Sequence, residues 1–180
     1  MSWTIWITGR PGSGKTTVAR EAALALRQRG IRVHVLELTA ARKALLGGRV
    51  ETEHECDLLY RALAFTAMSL TDAGVPVIVD ATAPRRVWRD WARSLIQHFG
   101  EVQLVCSPEV CVAREQEGRW RRASVEAAFA ATLPETAPDY EPSLRADLTL
   151  DTEAHQVWTV VEAVVRLAEH LERTAEHSHR

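Results

Sequence analysis

Gly9-Arg10-Pro11-Gly12-Ser13-Gly14-Lys15-Thr16 (GRPGSGKT) ends a β-branched and aromatic run, Trp3 to Thr8 (WTIWIT), and opens a helical periodicity from about Lys15 to Arg29. The pattern GxxxxGK[ST] gains its meaning from that place between a strand and a helix. Glycines let successive N–H groups turn inward as a nest around a phosphate, and the following helix adds the positive end of its dipole. Gly9, Arg10, Pro11, Gly12, Ser13 and Gly14 form the cradle. Lys15 is then placed to span β- and γ-phosphate oxygens, the Thr16 hydroxyl to ligate Mg²⁺, and Thr17 to touch the α-phosphate. A dinucleotide fingerprint would need GxGxxG, but Gly12-x-Gly14 is followed by Thr17. The loop predicts a nucleoside triphosphate.

Outward from this loop, strands and helices alternate. After Gly30 a strand is expected over Ile31–Leu38, a short helix over Ala40–Leu46 ending at Gly47-Gly48, and a long helix over Glu53–Ala73. Val75–Asp80 (VPVIVD) reads as a strand buried on both faces. Pro84 suits the first turn of a helix reaching Phe99, stopped by Gly100, with Val102–Cys106 as the fourth strand. Helical stretches at Glu109–Glu115 and Arg119–Ala131 lead to a proline-rich loop, Pro134–Pro142. Ala146–Leu150 is the last strand and Thr152–Leu171 the closing helix. Such alternation predicts an α/β three-layer sandwich with a parallel sheet in one domain spanning residues 1–180. Right-handed crossovers put the strand ends Gly9, Glu37, Asp80, Cys106 and Asp151 on one edge, where such folds bind ligands.

The chain has 180 residues, 46% apolar and 26% charged, with a formal net charge of −2. These are ordinary globular values, and they give no global attraction to nucleic acid or an anionic membrane. No apolar run reaches the ~18 residues of a membrane span, and the N-terminus lacks a basic leader. The three cysteines, Cys56, Cys106 and Cys111, contain no CxxC pair. They suggest a reducing cytoplasm rather than a disulfide framework, and His54 with Cys56 makes no zinc set. The segments DxxG and [NT]KxD of GTPases are missing, which leaves a kinase.

The remaining motifs resemble the adenylylsulfate kinase family, small P-loop kinases that phosphorylate the ribose 3′-hydroxyl of adenosine 5′-phosphosulfate (APS). The resemblance lies in Gly9–Thr17; in DAGVPVIV at Asp72–Val79; and in Pro84 with Arg86, Arg89 and Asp90. It continues in PEVCVAREQEGRWRRA at Pro108–Ala123 and YEPSLRADLTLDT at Tyr140–Thr152. It implies a five-stranded parallel sheet, MgATP as donor, a lid around residues 114–140 with Arg114 over the nucleotide, and commonly a homodimer. It also implies that Arg42, Arg61, Arg86 and Arg89 contact the anionic acceptor.

Departures fall on the acceptor side. Where the family has DGDNxR this chain has Glu37-Leu38-Thr39-Ala40-Ala41-Arg42, and a serine of the family is Ala83. Asp80, at the end of the third strand, is placed to hold a Mg²⁺ water or to accept the acceptor's proton; capping the next helix is the alternative. Glu37 is the other candidate base. Arg86, Arg89 and Arg93 share a helical face, and Arg114, Arg119, Arg121 and Arg122 form a second basic group. Arginines there suit an acceptor phosphate or sulfate and the transferred group. Trp88, Trp91 and Trp120 are also compatible with stacked single-stranded bases, although the net charge argues against that partner. Three readings remain open: a kinase for APS, a kinase for another small anionic alcohol or a nucleotide 5′-hydroxyl, and a nucleotide-binding module without catalysis.

Overall fold

A computed structural model describes residues 2–47, 52–123 and 139–177, with backbone only for 119–123. The chain order is β1 (Thr4–Gly9), α1 (Lys15–Gln28), β2 (His34–Glu37), α2 (Leu38–Leu46), α3 (Glu53–Asp72), β3 (Val77–Asp80), α4 (Arg86–Leu95), β4 (Phe99–Val105), α5 (Pro108–Ala123), β5 (Leu148–Asp151) and α6 (Val157–His177). The strands form one parallel sheet in the order β2-β3-β1-β4-β5. The phosphate-loop strand β1 is therefore central, with Asp80 of β3 level with Ile7 on one side and Leu104 of β4 level with Gly9 on the other.

Alternation along β1 explains the two cores. Trp3, Ile5 and Ile7 face α1 and α6, among Val18, Leu26 and Val164, while Trp6 faces α3 and α4, among Leu63, Val79 and Trp88. Both faces are covered, which is why β1 and β3 are buried at every position. A capping box starts α3: the Thr52 hydroxyl accepts from the Glu55 N–H, and the Glu55 carboxylate accepts from the Thr52 N–H.

The boundaries differ in instructive places. α4 ends at Leu95, where Ile96 turns extended, and Phe99 and Gly100 belong to β4 rather than to a helix end. A β-carbon on Gly100 would lie about 3.0 Å from Leu171 and 3.1 Å from Leu167, so the glycine admits α6 onto the strand. The two helices expected near 109–131 are one helix, α5, through Gly118. The last helix starts at Val157 rather than Thr152 and runs on to His177. The expected helix beyond Ala123, the proline-rich loop up to Pro138, Gly48, and the side chains of Arg119, Trp120, Arg121 and Arg122 lie outside the described residues.

The cysteines require a correction. Cys106 and Cys111 form a disulfide with their Cα atoms 6.4 Å apart, and Cys56 is the free thiol. The first turn of α5 folds back over the end of β4. This brings together two residues five apart, a proximity that spacing alone did not suggest. Among the described residues, no helix is long and apolar enough to cross a membrane.

Candidate active site

β1 delivers the phosphate loop to the C-terminal edge of the sheet. Gly9 and Gly12 have φ near +149° and +80°. A β-carbon on Gly9 would lie 2.6 Å from the Leu104 carbonyl, and one on Gly12 would collide with the Cys111 carbonyl. The loop is thus pressed between β4 and the disulfide-bonded turn of α5.

Gly14 begins α1 in a left-handed conformation, without a capping side chain and without an acid in the first turn. The open N–H groups of that turn and the helix dipole favour an anion. Ser13 Oγ is buried with no hydrogen-bond partner among the described residues. Lys15 is buried and donates to the carbonyls of Gly9 at 3.0 Å and Arg10 at 2.9 Å. Burial lowers its pKa from 10.5 to about 8, against the raising influence of Asp80 and Glu115. A phosphate fits this cradle: it would supply a direct ion pair for Lys15, which has none among the described residues, and acceptors for the open donors.

Thr16 donates its hydroxyl to Asp80 Oδ2 at 2.6 Å. Burial raises the pKa of Asp80, while that hydrogen bond and Lys15 lower it. A hydroxyl and a carboxylate beside a phosphate nest are a donor set that suits Mg²⁺, which commonly takes one or two protein ligands and fills its shell with phosphate oxygens and water. Among the described residues no cluster of three or more acidic, histidine or cysteine side chains could hold a metal by itself. Asp80 does not cap α4, whose cap position is Arg85. Glu37 lies level with Asp80 on the neighbouring strand and pairs with Arg20 at 2.9 Å.

Arg114, on α5, donates to Thr152 Oγ1 at 3.0 Å and the Thr152 carbonyl at 2.9 Å, and Thr152 in turn donates to the Ser13 carbonyl at 3.1 Å. This chain of contacts ties α5 and the end of β5 to the phosphate loop.

Beside the loop is a cleft of about 300 Å³ whose walls include Arg10, Pro11, Tyr60, Thr82, Trp88 and Tyr140. Tyr60 and Trp88 stack with ring centroids 4.3 Å apart. The Tyr60 hydroxyl accepts from the N–H of Ala83, a non-glycine residue at φ +39° just after β3. That strained turn presents Thr82 and Pro84 to the cleft.

The arginines expected to meet the acceptor are engaged within the protein. Arg89 is 1% exposed and lies 3.0 Å from the equally buried Glu101. It also donates to the carbonyls of Ala83 and, at 2.6 Å, Glu141, and it packs 5.2 Å from the Tyr140 ring. That burial makes Arg89 a brace behind the cleft and not a direct ligand contact. Arg86 pairs with Glu141 at 3.6 Å, Arg61 with Asp57 at 2.6 Å, and Arg93 with Asp147 at 2.7 Å. Arg42 keeps a buried Nε without a partner among the described residues. Trp88 is buried against Tyr60 and donates to Asp57, and Trp91 packs on the core beneath Arg61. Neither forms an open platform for bases.

Tyr60, Tyr140 and Thr152 had no site role in the sequence reading. The signal for the last two was the stretch Tyr140–Thr152, which carried the family likeness without naming their contacts.

The family profile for adenylylsulphate kinase matches residues 1–151. The chain belongs to the adenylylsulfate kinase family. An adenylyl-sulfate kinase of Rippkaea orientalis is 33% identical over 172 residues, covering 92% of this chain and 94% of that protein. One from Halothermothrix orenii is 32% identical, covering 94% and 89%. Among solved structures, an adenylylsulfate kinase of Mycobacterium tuberculosis in complex with AMPPNP and APS is 26% identical with a TM-score of 0.78, covering 93% of this chain and 98% of that one. A Sinorhizobium meliloti gluconokinase, 21% identical with a TM-score of 0.64, shows the same fold. This adenylylsulfate kinase homologue is accordingly a P-loop, ATP-dependent transferase.

Proposed function

We propose that the chain transfers the γ-phosphate of MgATP to the 3′-hydroxyl of APS. The observation that carries the proposal is the junction of two sites: a phosphate cradle with its Thr16–Asp80 pair, and an aromatic cleft that shares Arg10 and Pro11 with it. A donor phosphate on the loop and an alcohol in the cleft would meet at Asp80. Holding both reactants in one frame lowers the entropic part of the barrier.

In this reading Lys15 follows the β- and γ-phosphate oxygens, and Thr16 with Asp80 holds the metal. When bound, Mg²⁺ neutralises charge on the phosphates. Asp80 or Glu37 takes the hydroxyl proton. Arg114 leans over the nucleotide from the lid, and Arg42, Arg61 and Arg86 stand around the acceptor's entrance. Arg89 acts through the turn at Ala83 and the backbone at Glu141. The homodimer and the cytoplasmic location belong to the same proposal; exposed Leu58 and Phe65, one heptad apart on α3, support a partner surface, and the need for ATP supports the location.

A second reading, a different acceptor, is favoured by one feature. Glu37 is followed directly by α2, so Thr39 and Ala40 stand in a helix where the family motif has Asp and Asn. Incubating the protein with MgATP and APS and weighing the products separates the two. A 3′-phosphorylated APS supports the proposal. ATP binding without that product redirects the search to another hydroxyl.

A further inference from the structure

We infer that Arg10 is a cation that receives the acceptor's anionic group, so that the phosphate loop reads the acceptor as well as the donor; this rests on the kinase reading above. Arg61, Arg85, Arg86, Arg89 and Arg93, on α3, at the turn before α4 and on α4, do not line the cleft, and each is neutralised by a carboxylate: Asp57, Glu53, Glu141, Glu101 and Asp147 respectively. Arg10 differs. Its side chain is exposed, lines the cleft, and has no hydrogen bond or ion pair among the described residues.

The backbone of Arg10 is nonetheless fixed. Its carbonyl accepts from Lys15 Nζ at 2.9 Å and from the Ser13 N–H at 3.1 Å. The side chain of this cleft-lining residue therefore springs from an anchored point one residue beyond β1. Tyr140 shares that cleft; its hydroxyl lies 3.2 Å from Thr8 Oγ1, its ring is backed by Arg89, and its phenol feels the charge of Arg10.

The rest of the lining makes the cation necessary for an anion. Pro11, Tyr60, Pro84, Trp88 and Val112 are apolar or aromatic, and the ionisable groups besides Arg10 and the thiol of Cys56 are Glu115, Asp139 and the two tyrosines. A sulfate or phosphate there would be poorly solvated and repelled by the two carboxylates. It would settle toward Arg10, whose planar fork can bind two oxygens at once. The ligand class is thus a molecule with a largely apolar body and a sulfate or phosphate group, held with that group against the phosphate-loop wall.

The test first measures the MgAMPPNP affinity of wild type, Arg10→Met and Arg10→Lys by calorimetry, and then titrates APS, and separately adenosine, into each once saturated with MgAMPPNP. The expected result is APS binding weakened at least tenfold in Arg10→Met and partly restored in Arg10→Lys. Adenosine and AMPPNP affinities should move less than about threefold. Unchanged APS affinity, or an equal loss for AMPPNP, overturns the inference. A third titration uses inorganic sulfate, followed by tryptophan fluorescence with MgAMPPNP bound. If wild type binds no APS, the APS reading fails and the sulfate titration decides Arg10 by itself. Sulfate bound by wild type and lost in Arg10→Met supports the role; sulfate bound equally by both, or by neither, overturns it.

Discussion

The two halves of the site solve the placing of charge in opposite ways. On the nucleotide side, apart from the Thr16–Asp80 pair, the polar groups are left open: Lys15 rests on backbone carbonyls, α1 begins without an acid, and Ser13 Oγ has no partner among the described residues. On the acceptor side nearly every arginine is paired, down to the buried Arg89–Glu101 contact. The first half is built to accept negative charge from a ligand. The second uses its charges for contacts within the fold, with Arg10 and Arg42 outside any ion pair among the described residues. The difference teaches that counting arginines near a site says little until their carboxylates are counted as well.

The largest effect should come from breaking the brace. Arg89→Met leaves the buried Glu101 with only the more distant Arg93, 3.5 Å away, and should cost about 3–5 kcal/mol of stability in chemical denaturation. A double variant, Arg89→Met with Glu101→Leu, should recover most of that loss. A single variant as stable as wild type would mean that the pair does not hold the cleft.

Next in size, Lys15→Met should lower turnover by at least about a hundredfold, as loss of a positioned charge does elsewhere. The same variant should melt at or above the wild-type temperature. The reason is the sign of the shift: burial takes Lys15 to about 8, so below that pH its charge is held at a cost to the folded state. Wild-type stability should therefore rise with pH between about 8 and 10.5, where the unfolded chain binds more protons, and this part of the rise should be missing in the variant. A large drop in melting temperature would instead make Lys15 a structural residue.

Asp80→Asn should lower turnover about a hundredfold while changing nucleotide affinity severalfold at most. Burial holds the Asp80 carboxyl above its ordinary range, so the acid limb of turnover in wild type should lie above that range, with activity rising as Asp80 ionises. The residual activity of the variant should lose that limb. The smallest expected change is in Arg114→Ala, which removes an exposed contact to Thr152 and should raise the KM for ATP severalfold with little change in that for the acceptor. A change confined to the acceptor would move Arg114 to the other half.

Legibility in the sequence follows the same division. The phosphate loop could be read because its chemistry is local: glycines, a lysine and a hydroxyl at fixed spacing between a strand and a helix dictate the backbone itself. The parallel sheet could be read from Val77–Asp80 and its neighbours, since a strand buried on both faces leaves an unbroken apolar run. Gly100 misled because a glycine that ends a helix and one that admits Leu167 and Leu171 look alike without α6 in place. The Cys106–Cys111 bond depends on how α5 folds over β4. Arg89 was expected to contact the anionic acceptor because it shares a helical face with Arg86 and Arg93; its burial follows from Glu101 and the Glu141 carbonyl, 12 and 52 residues away in the chain. Pairings at that distance are set by topology and not by local pattern.

The central claim is that the two halves meet over the 3′-hydroxyl of APS. ADP formation from MgATP, measured side by side with APS, with its 3′-deoxy analogue and with no acceptor, tests it most directly. The account predicts rapid ADP formation with APS and only the acceptor-free background with the 3′-deoxy compound. The same rate in all three, or turnover with the 3′-deoxy compound equal to that with APS, would contradict it.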